Sequence, residues 1–174
     1  MSQAQPASSI TGPFVSEIQW LDDSPDCLIV SCSDHRFERQ SRQLAAHLNF
    51  KRPHVVQVPS GAVLSLPLVT AFNFLSKAVD KIIERVVEMK KVSDVILLGH
   101  QDCGAYKAER MPLVSDVVRR FAGKSIKDLQ QEHLAQAAHR IRIGLRQVQV
   151  RCFFAEVVGE KERQSVRFIE IPVR

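Results

Sequence analysis

Leu28 to Phe37 reads LIVSCSDHRF, and Val95 to Ala105 reads VILLGHQDCGA. Each stretch opens on a short apolar run, as a buried strand does. Each then breaks into polar residues with metal-ligand chemistry: Cys32, Asp34 and Arg36 in the first, His100 and Cys103 in the second. Two thiols and one imidazole at adjacent strand ends suit a single zinc ion. Zinc fingers draw their ligands from close in sequence, so the separation between Cys32 and His100 requires a folded scaffold to assemble the site.

The sequence around these stretches alternates strand and helix patterns. Cys27 to Ser31 is a near-continuous apolar run, expected of a strand buried on both sheet faces. Phe37 to Asn49 predicts a helix with Leu44, Ala45 and Leu48 on one side, and His54 to Val58 a second strand that ends at the turn Pro59-Ser60-Gly61. Leu66 to Lys91 carries Phe72, Leu75, Val79, Ile82, Ile83, Val86 and Val87 at helical spacing, with Pro67 in the first turn. Val95 to Leu98 is a third strand, and Gly99 to Gly104 the second ligand loop. A helix is expected from Ala105, limited by Pro112. Ser115 to Phe121 is a short helical piece broken by Gly123, and Ser125 to Val148 another helix. Cys152 to Val158 and Ser165 to Ile171 form a hairpin across the polar turn Gly159 to Gln164. Upstream, Met1 to Thr11 is expected to be mobile, and Gly12 to Leu21 holds apolar residues for one short helix. This order predicts an α/β fold: a mostly parallel sheet flanked by helices, with a C-terminal β-hairpin. Both ligand loops then fall beyond the carboxyl ends of the strands, where such folds place their sites.

At 174 residues, one domain spanning 1–174 is the simplest organisation. The net charge of +5 raises the question of nucleic acid. The basic residues are dispersed, however, and the densest group, Arg140, Arg142, Arg146 and Arg151, is interleaved with apolar residues as on a solvated helix face. No nucleic-acid partner is expected. The apolar runs are too short for a membrane span, so no membrane partner is expected either. The first ten residues show no basic segment followed by an apolar core, and four cysteines in a chain of this size do not read as a disulfide framework. A reducing cytoplasm is the expected location, with Cys32 and Cys103 free to act as thiolates.

Three protein ligands leave a fourth tetrahedral position open, which distinguishes catalytic from structural zinc. Cys27 lies inside the first strand and Cys152 starts a late one; both read as core rather than as the missing ligand. Asp34 has two available states. It can close the site by binding the metal, or be held by the Arg36 fork, which keeps a carboxylate ionised and leaves the site open. A plain loop-stabilising ion pair is the alternative.

Cys32-Ser-Asp34-His-Arg36 together with His100-Gln-Asp-Cys103-Gly104 resembles the signature of the β-class carbonic anhydrases. The likeness covers about Pro25 to Gly104 well and the final hairpin loosely. It implies that Cys32, His100 and Cys103 bind Zn2+, that the Asp34–Arg36 dyad controls the open position, and that the Gly104 backbone N–H faces substrate. It implies assembly as a homodimer or a larger homo-oligomer, and hydration of carbon dioxide to bicarbonate by a metal-bound hydroxide. The sequence departs from the family in three places. Members usually carry Arg-Asn-Ala-Gly after the second strand, where this chain has Val58-Pro59-Ser60-Gly61. Plant-type members carry a Gln nine residues before the first zinc Cys, where this chain has Asp23, which cannot donate a hydrogen bond and would repel bicarbonate. His35 replaces the usual Ser, as a proton acceptor at the site mouth or a solvent-facing loop residue.

Two thiolates offset the charge of the ion, so they should lower the pKa of its water less than the fall to about 7 in a three-histidine site. Activity rising above neutral pH is therefore expected. Two other readings remain open from sequence. One is hydrolysis of carbonyl sulfide or carbon disulfide at the same centre. The other is a zinc-binding protein without hydratase activity, its pocket closed by Asp34.

Overall fold

Alternate residues of three central strands are buried on opposite faces, and this double covering organises the molecule. A computed structural model describes residues 16–17, 23–65, 73–106 and 125–173. The expected mobile start over 1–11 and the short helical piece over 115–121 lie outside the described residues, as do Pro67, Phe72 and Pro112; of the expected helix over 12–21 only Ser16 and Glu17 are described. The chain forms β1 (Cys27–Cys32), α1 (Glu38–His47), β2 (Pro53–Val58), α2 (Asn73–Lys90), β3 (Asp94–His100), α3 (Ile126–Gly144), β4 (Gln149–Val158) and β5 (Ser165–Ile171). The sheet order is β2-β1-β3-β4-β5. The first four strands are parallel and β5 runs antiparallel to β4. The expected α/β fold with its C-terminal hairpin is therefore the observed one.

Leu28 and Val30 of β1, Val95 and Leu97 of β3, and Cys152 and Phe154 of β4 pack with Val79, Ile83 and Val87 of α2 and with Leu129, Leu134 and Ile141 of α3. Cys27, Ile29, Ile96, Leu98 and Phe153 point the other way, onto Leu44 and Ala45 of α1. Such two-sided burial explains why the strand segments read as continuous apolar runs. Ile82 departs from its expected place in the helical stripe: it is 43% exposed. Val79, Ile83 and Val87, four residues apart, form the buried seam instead.

The helix ends follow from local chemistry. After α1, Asn49 takes φ 68°, its N–H donates to the Ala46 carbonyl at 3.0 Å, and the Phe50 N–H donates to the Ala45 carbonyl at 2.9 Å. That is a Schellman closure, with Asn in the left-handed position. The Ser125 hydroxyl accepts from the Asp128 N–H and caps α3. This last helix stops at Gly144, short of the expected Val148, because β4 begins early. The Gln149 N–H donates to the Ser93 carbonyl at 2.8 Å, and Asp94 pairs with Gln149 in the ladder.

The arginine group is not one solvated helix face. Arg140 reaches from α3 to Asp80 of α2 at 2.6 Å, and Arg142 donates to the Val173 carbonyl at 3.2 Å. Arg151 lies on β4, where it forks onto Glu170 of β5 with two bonds of 2.8 Å. These arginines fasten neighbouring elements to one another. Among the described residues, no helix is long and apolar enough to cross a membrane.

Candidate metal centre

Parallel pairing places the carboxyl ends of β1 and β3 side by side, and the candidate ligand residues stand at those ends. Cys32 is the last residue of β1 and His100 the last of β3, so both begin in the strand rather than in the loop. A tight turn returns the chain at Cys103, with Asp102 in the left-handed region at φ 58°. One ligand atom from each of Cys32, His100 and Cys103 lies within 4.8 Å of the other two, and they form a metal-capable group among the described residues.

The donor atoms fit a metal ion. The two sulfurs are 3.9 Å apart. Tetrahedral zinc, with Zn–S bonds of about 2.3 Å, requires a separation of about 3.8 Å. His100 is 5% exposed. Its Nδ1 lies 2.7 Å from the Gln101 carbonyl, which accepts from it, and its buried Nε2 has no hydrogen-bond partner among the described residues. A backbone acceptor at one ring nitrogen sets the tautomer that leaves the other as a metal-binding lone pair. The Phe37 ring packs at 4.5 Å from the imidazole, centroid to centroid. The Cys32 thiol is held well below the ordinary thiol range by its hydrogen bond with Cys103, supported by the Asp34 backbone N–H and opposed by burial.

Asp34 caps the short 3-10 turn His35–Phe37. The Arg36 backbone N–H donates to its Oδ1 at 3.1 Å. The Arg36 guanidinium donates from Nε to Oδ1 at 2.9 Å and from Nη2 to Oδ2 at 2.6 Å. That fork is the main reason the Asp34 carboxyl is held at about 2. His35 is exposed on the same turn. Gly104 opens a second 3-10 turn, Gly104–Tyr106, immediately after Cys103.

The other two cysteines belong to the core, each fully buried. Burial pushes the Cys27 thiol up to about 12 and the Cys152 thiol up to about 11. The Cys152 thiol donates to the Ile171 carbonyl at 3.2 Å.

Gly61 stands at φ 60°, and a Cβ there would lie 3.1 Å from both the Cys32 nitrogen and the Leu98 carbonyl oxygen. The turn after β2 thus presses its backbone between β1 and β3 beside Cys32. Asp23 is not a free carboxylate: it pairs with Arg52. Arg52 precedes β2, and its carbonyl accepts from the Asp26 N–H, so the pair lies at the amino edge of β1. The six residues of β1 span roughly 20 Å at about 3.3 Å each, which separates Asp23 from Cys32 of the same chain. An open cavity of about 420 Å³ adjoins Cys103, with Gln130, Lys127, Glu156 and Arg167 in its walls.

Solved structures share this architecture. A carbonic anhydrase of Streptococcus mutans aligns over 86% of this chain and 83% of its own, with TM-score 0.50 and 15% identity. A β-carbonic anhydrase of Trichomonas vaginalis aligns over 89% and 88%, with TM-score 0.52 and 13% identity. The fold is that of the β-carbonic anhydrases. The β-carbonic anhydrase CafA of Aspergillus fumigatus aligns over 84% of this chain and 76% of its own, with TM-score 0.50 and 15% identity. No protein-family model matches the chain. An uncharacterized protein of Rickettsia conorii is 31% identical over 84 residues, 46% of this chain. The match spans 42% of that relative's length.

Beyond Cys32, Asp34, Arg36, His100, Cys103 and Gly104, the structure adds residues that sequence reasoning did not single out. Phe37 packs on His100, and the carbonyl of Gln101 holds its ring. Phe37 directly follows the dyad and was open to inference as a packing residue. A backbone carbonyl carries no residue-type signal.

Proposed function

We propose that this chain is a zinc-dependent hydratase that converts carbon dioxide to bicarbonate. The observation that carries the proposal is the Asp34 carboxylate, gripped by Arg36 beside the Cys32–His100–Cys103 group. Zinc held by those three residues would supply a water acidified from about 15.7 towards neutrality, by less than in a three-histidine site because two thiolates offset its charge.

The residues of the chain divide the remaining work. Cys32 and Cys103 provide thiolates and His100 a neutral imidazole. Asp34, ionised, accepts a hydrogen bond and so orients an O–H beside it. Arg36 holds both carboxylate oxygens and keeps Asp34 from serving as a fourth ligand. The Gly104 N–H is the donor assigned to an oxygen of the substrate. The oxygen of the acidified water would add to the carbon of carbon dioxide, forming one C–O bond as one C=O π pair moves onto the substrate oxygen facing Gly104, and the water's proton would leave to solvent.

The pairing of Asp23 with Arg52 lessens the repulsion expected from a free carboxylate. Assembly as a homodimer or larger homo-oligomer belongs to the proposal. It draws support from β5, which ends the sheet with its outer edge unpaired among the described residues. A cytoplasmic location fits the four free cysteines.

Stopped-flow carbon dioxide hydration near pH 7 and pH 8.5, on protein of measured zinc content, tests the activity. One zinc per chain with a rate that rises at the higher pH is expected. One zinc per chain without hydration at either pH would replace this reading with a zinc-binding protein lacking hydratase activity, or with hydrolysis of carbonyl sulfide or carbon disulfide. Light scattering at micromolar protein would show a monomer if the assembly is wrong.

A further inference from the structure

Cys103 reaches Cys32 only because the chain turns back sharply after His100, and Asp102 occupies the left-handed region at the bend. A residue in that region persists where its surroundings hold it there. On the upstream side two contacts do so. The Gln101 N–H donates to the Ala155 carbonyl at 2.9 Å, and the Gln101 side-chain oxygen accepts from the Val157 N–H at 3.2 Å. On the downstream side, the Tyr106 N–H donates to the Cys103 carbonyl at 3.0 Å and closes the turn Gly104–Tyr106. The Tyr106 side chain then runs inward. Its hydroxyl lies 2.9 Å from Nδ1 of His133 on α3, with ring centroids 5.8 Å apart. Tyr106 is 6% exposed and His133 1%.

We propose that Tyr106 and His133 are positioning residues for the metal centre, a buried phenol–imidazole clasp that ties the Cys103–Gly104 turn to α3. The inference rests on the metal-site reading. A polar pair this deep in an apolar core is costly unless both members are satisfied, and an apolar pair would fill the same space without that requirement. What the polar pair adds is direction. One hydrogen bond fixes the Tyr106 ring, the ring fixes the turn, and the turn sets where the Cys103 sulfur and the Gly104 N–H point. Groups of this kind, one step removed from the ligands, typically change metal affinity by about 10- to 100-fold when altered.

Three variants separate positioning from simple core filling. Tyr106→Phe keeps the ring and removes the hydroxyl. His133→Leu removes the imidazole. The double variant Tyr106→Phe/His133→Leu removes both polar partners of the clasp and leaves neither facing an orphaned mate. Each is loaded with zinc, and transfer of zinc to a chromophoric chelator is timed beside the thermal midpoint. The visible spectrum of the cobalt(II)-loaded protein reports ligand geometry. Asp80→Asn, which removes the charge that pairs with Arg140 about two turns further along α3, controls for loss of stability alone.

The expected result is zinc release at least about 10-fold faster in Tyr106→Phe and in the double variant. The double variant should recover much of the thermal midpoint while its cobalt spectrum stays altered, and Asp80→Asn should release zinc at the wild-type rate. Wild-type zinc release and an unchanged cobalt spectrum in the double variant would overturn the proposal and leave the pair a core contact. If the wild-type chain takes up no zinc, the metal-site reading is what fails. The alkylation rate of Cys103, followed by peptide mass mapping, then decides the clasp: faster alkylation in the double variant supports it, and an unchanged rate overturns it.

Discussion

Asp34 is the residue on which the proposed chemistry turns, and its charge state follows from Arg36. The guanidinium holds the carboxyl at about 2, below the ordinary value near 3.9. A lowered folded-state value means the pair stabilises the fold above the ordinary carboxylate range. That contribution is lost as pH falls from about 4 through about 2. Arg36 is largely exposed, so the contribution stays below about 1 kcal/mol. The larger consequence is kinetic. Asp34 is ionised across any practical assay range and cannot be the source of a rate that rises above neutrality. Under the proposed mechanism, Arg36→Ala should release Asp34 to become a fourth ligand. Turnover should fall by about 100-fold, the scale of a lost positioned acid–base contact, while zinc stays at one per chain. Metal analysis beside stopped-flow hydration checks this, and loss of the zinc instead would make Arg36 structural. At this scale the sequence is highly legible, because Cys32, Asp34, Arg36, His100 and Cys103 are chemically distinctive and follow apolar runs. Tyr106 and His133 are not legible in the same way. Each reads as an ordinary residue of a helical or turn segment, and only the packing of α3 against the turn brings them together.

Among the elements, the turn between β2 and α2 matters most to the site. Of the residues expected there from β-carbonic anhydrases, only Gly61 is kept, and its surroundings supply the reason. It combines φ 60° with backbone atoms of β1 and β3 at 3.1 Å from where a Cβ would stand. Neither the backbone of a central strand nor that of its neighbour yields easily, so Gly61→Ala should cost about 1–3 kcal/mol in a urea titration. A shift in midpoint without a change in slope is expected, since the loss is local strain rather than a looser denatured state. A variant as stable as the wild type would mean that the turn moves away from β1 at little cost. Strand and helix identities are legible because their apolar spacing is strong. Their ends are less so. The start of β4 is set by pairing of Gln149 with Asp94, a contact between segments far apart in sequence. The amino-edge partner of Asp23 is likewise set by parallel pairing of β1 with β2, which brings Arg52 beside it.

Over the whole molecule, the proposed metal site and the fold depend on each other. Cys32 comes from β1, His100 from β3 and Cys103 from the turn beyond it, so the unfolded chain offers no comparable site. A ligand that binds only the folded state stabilises it by RT ln(1 + [L]/Kd), or about 4 kcal/mol at a thousandfold excess over Kd. Chelation should therefore lower the urea midpoint, and zinc should restore it. Magnesium should not, because it prefers oxygen ligands to thiolates. Cys32→Ala separates this linkage from the packing of β1. Cys32 is only part-buried at the strand end, so the zinc-free stability of the variant should lie within about 1–2 kcal/mol of the zinc-free wild type. Its zinc-dependent increment should be abolished or sharply reduced. The comparison is made by urea titration of both proteins, each with chelator and with excess zinc. An equal zinc increment in the two would show that the ion binds elsewhere, and a wild-type midpoint indifferent to chelator and zinc alike would remove the metal from the account of this fold.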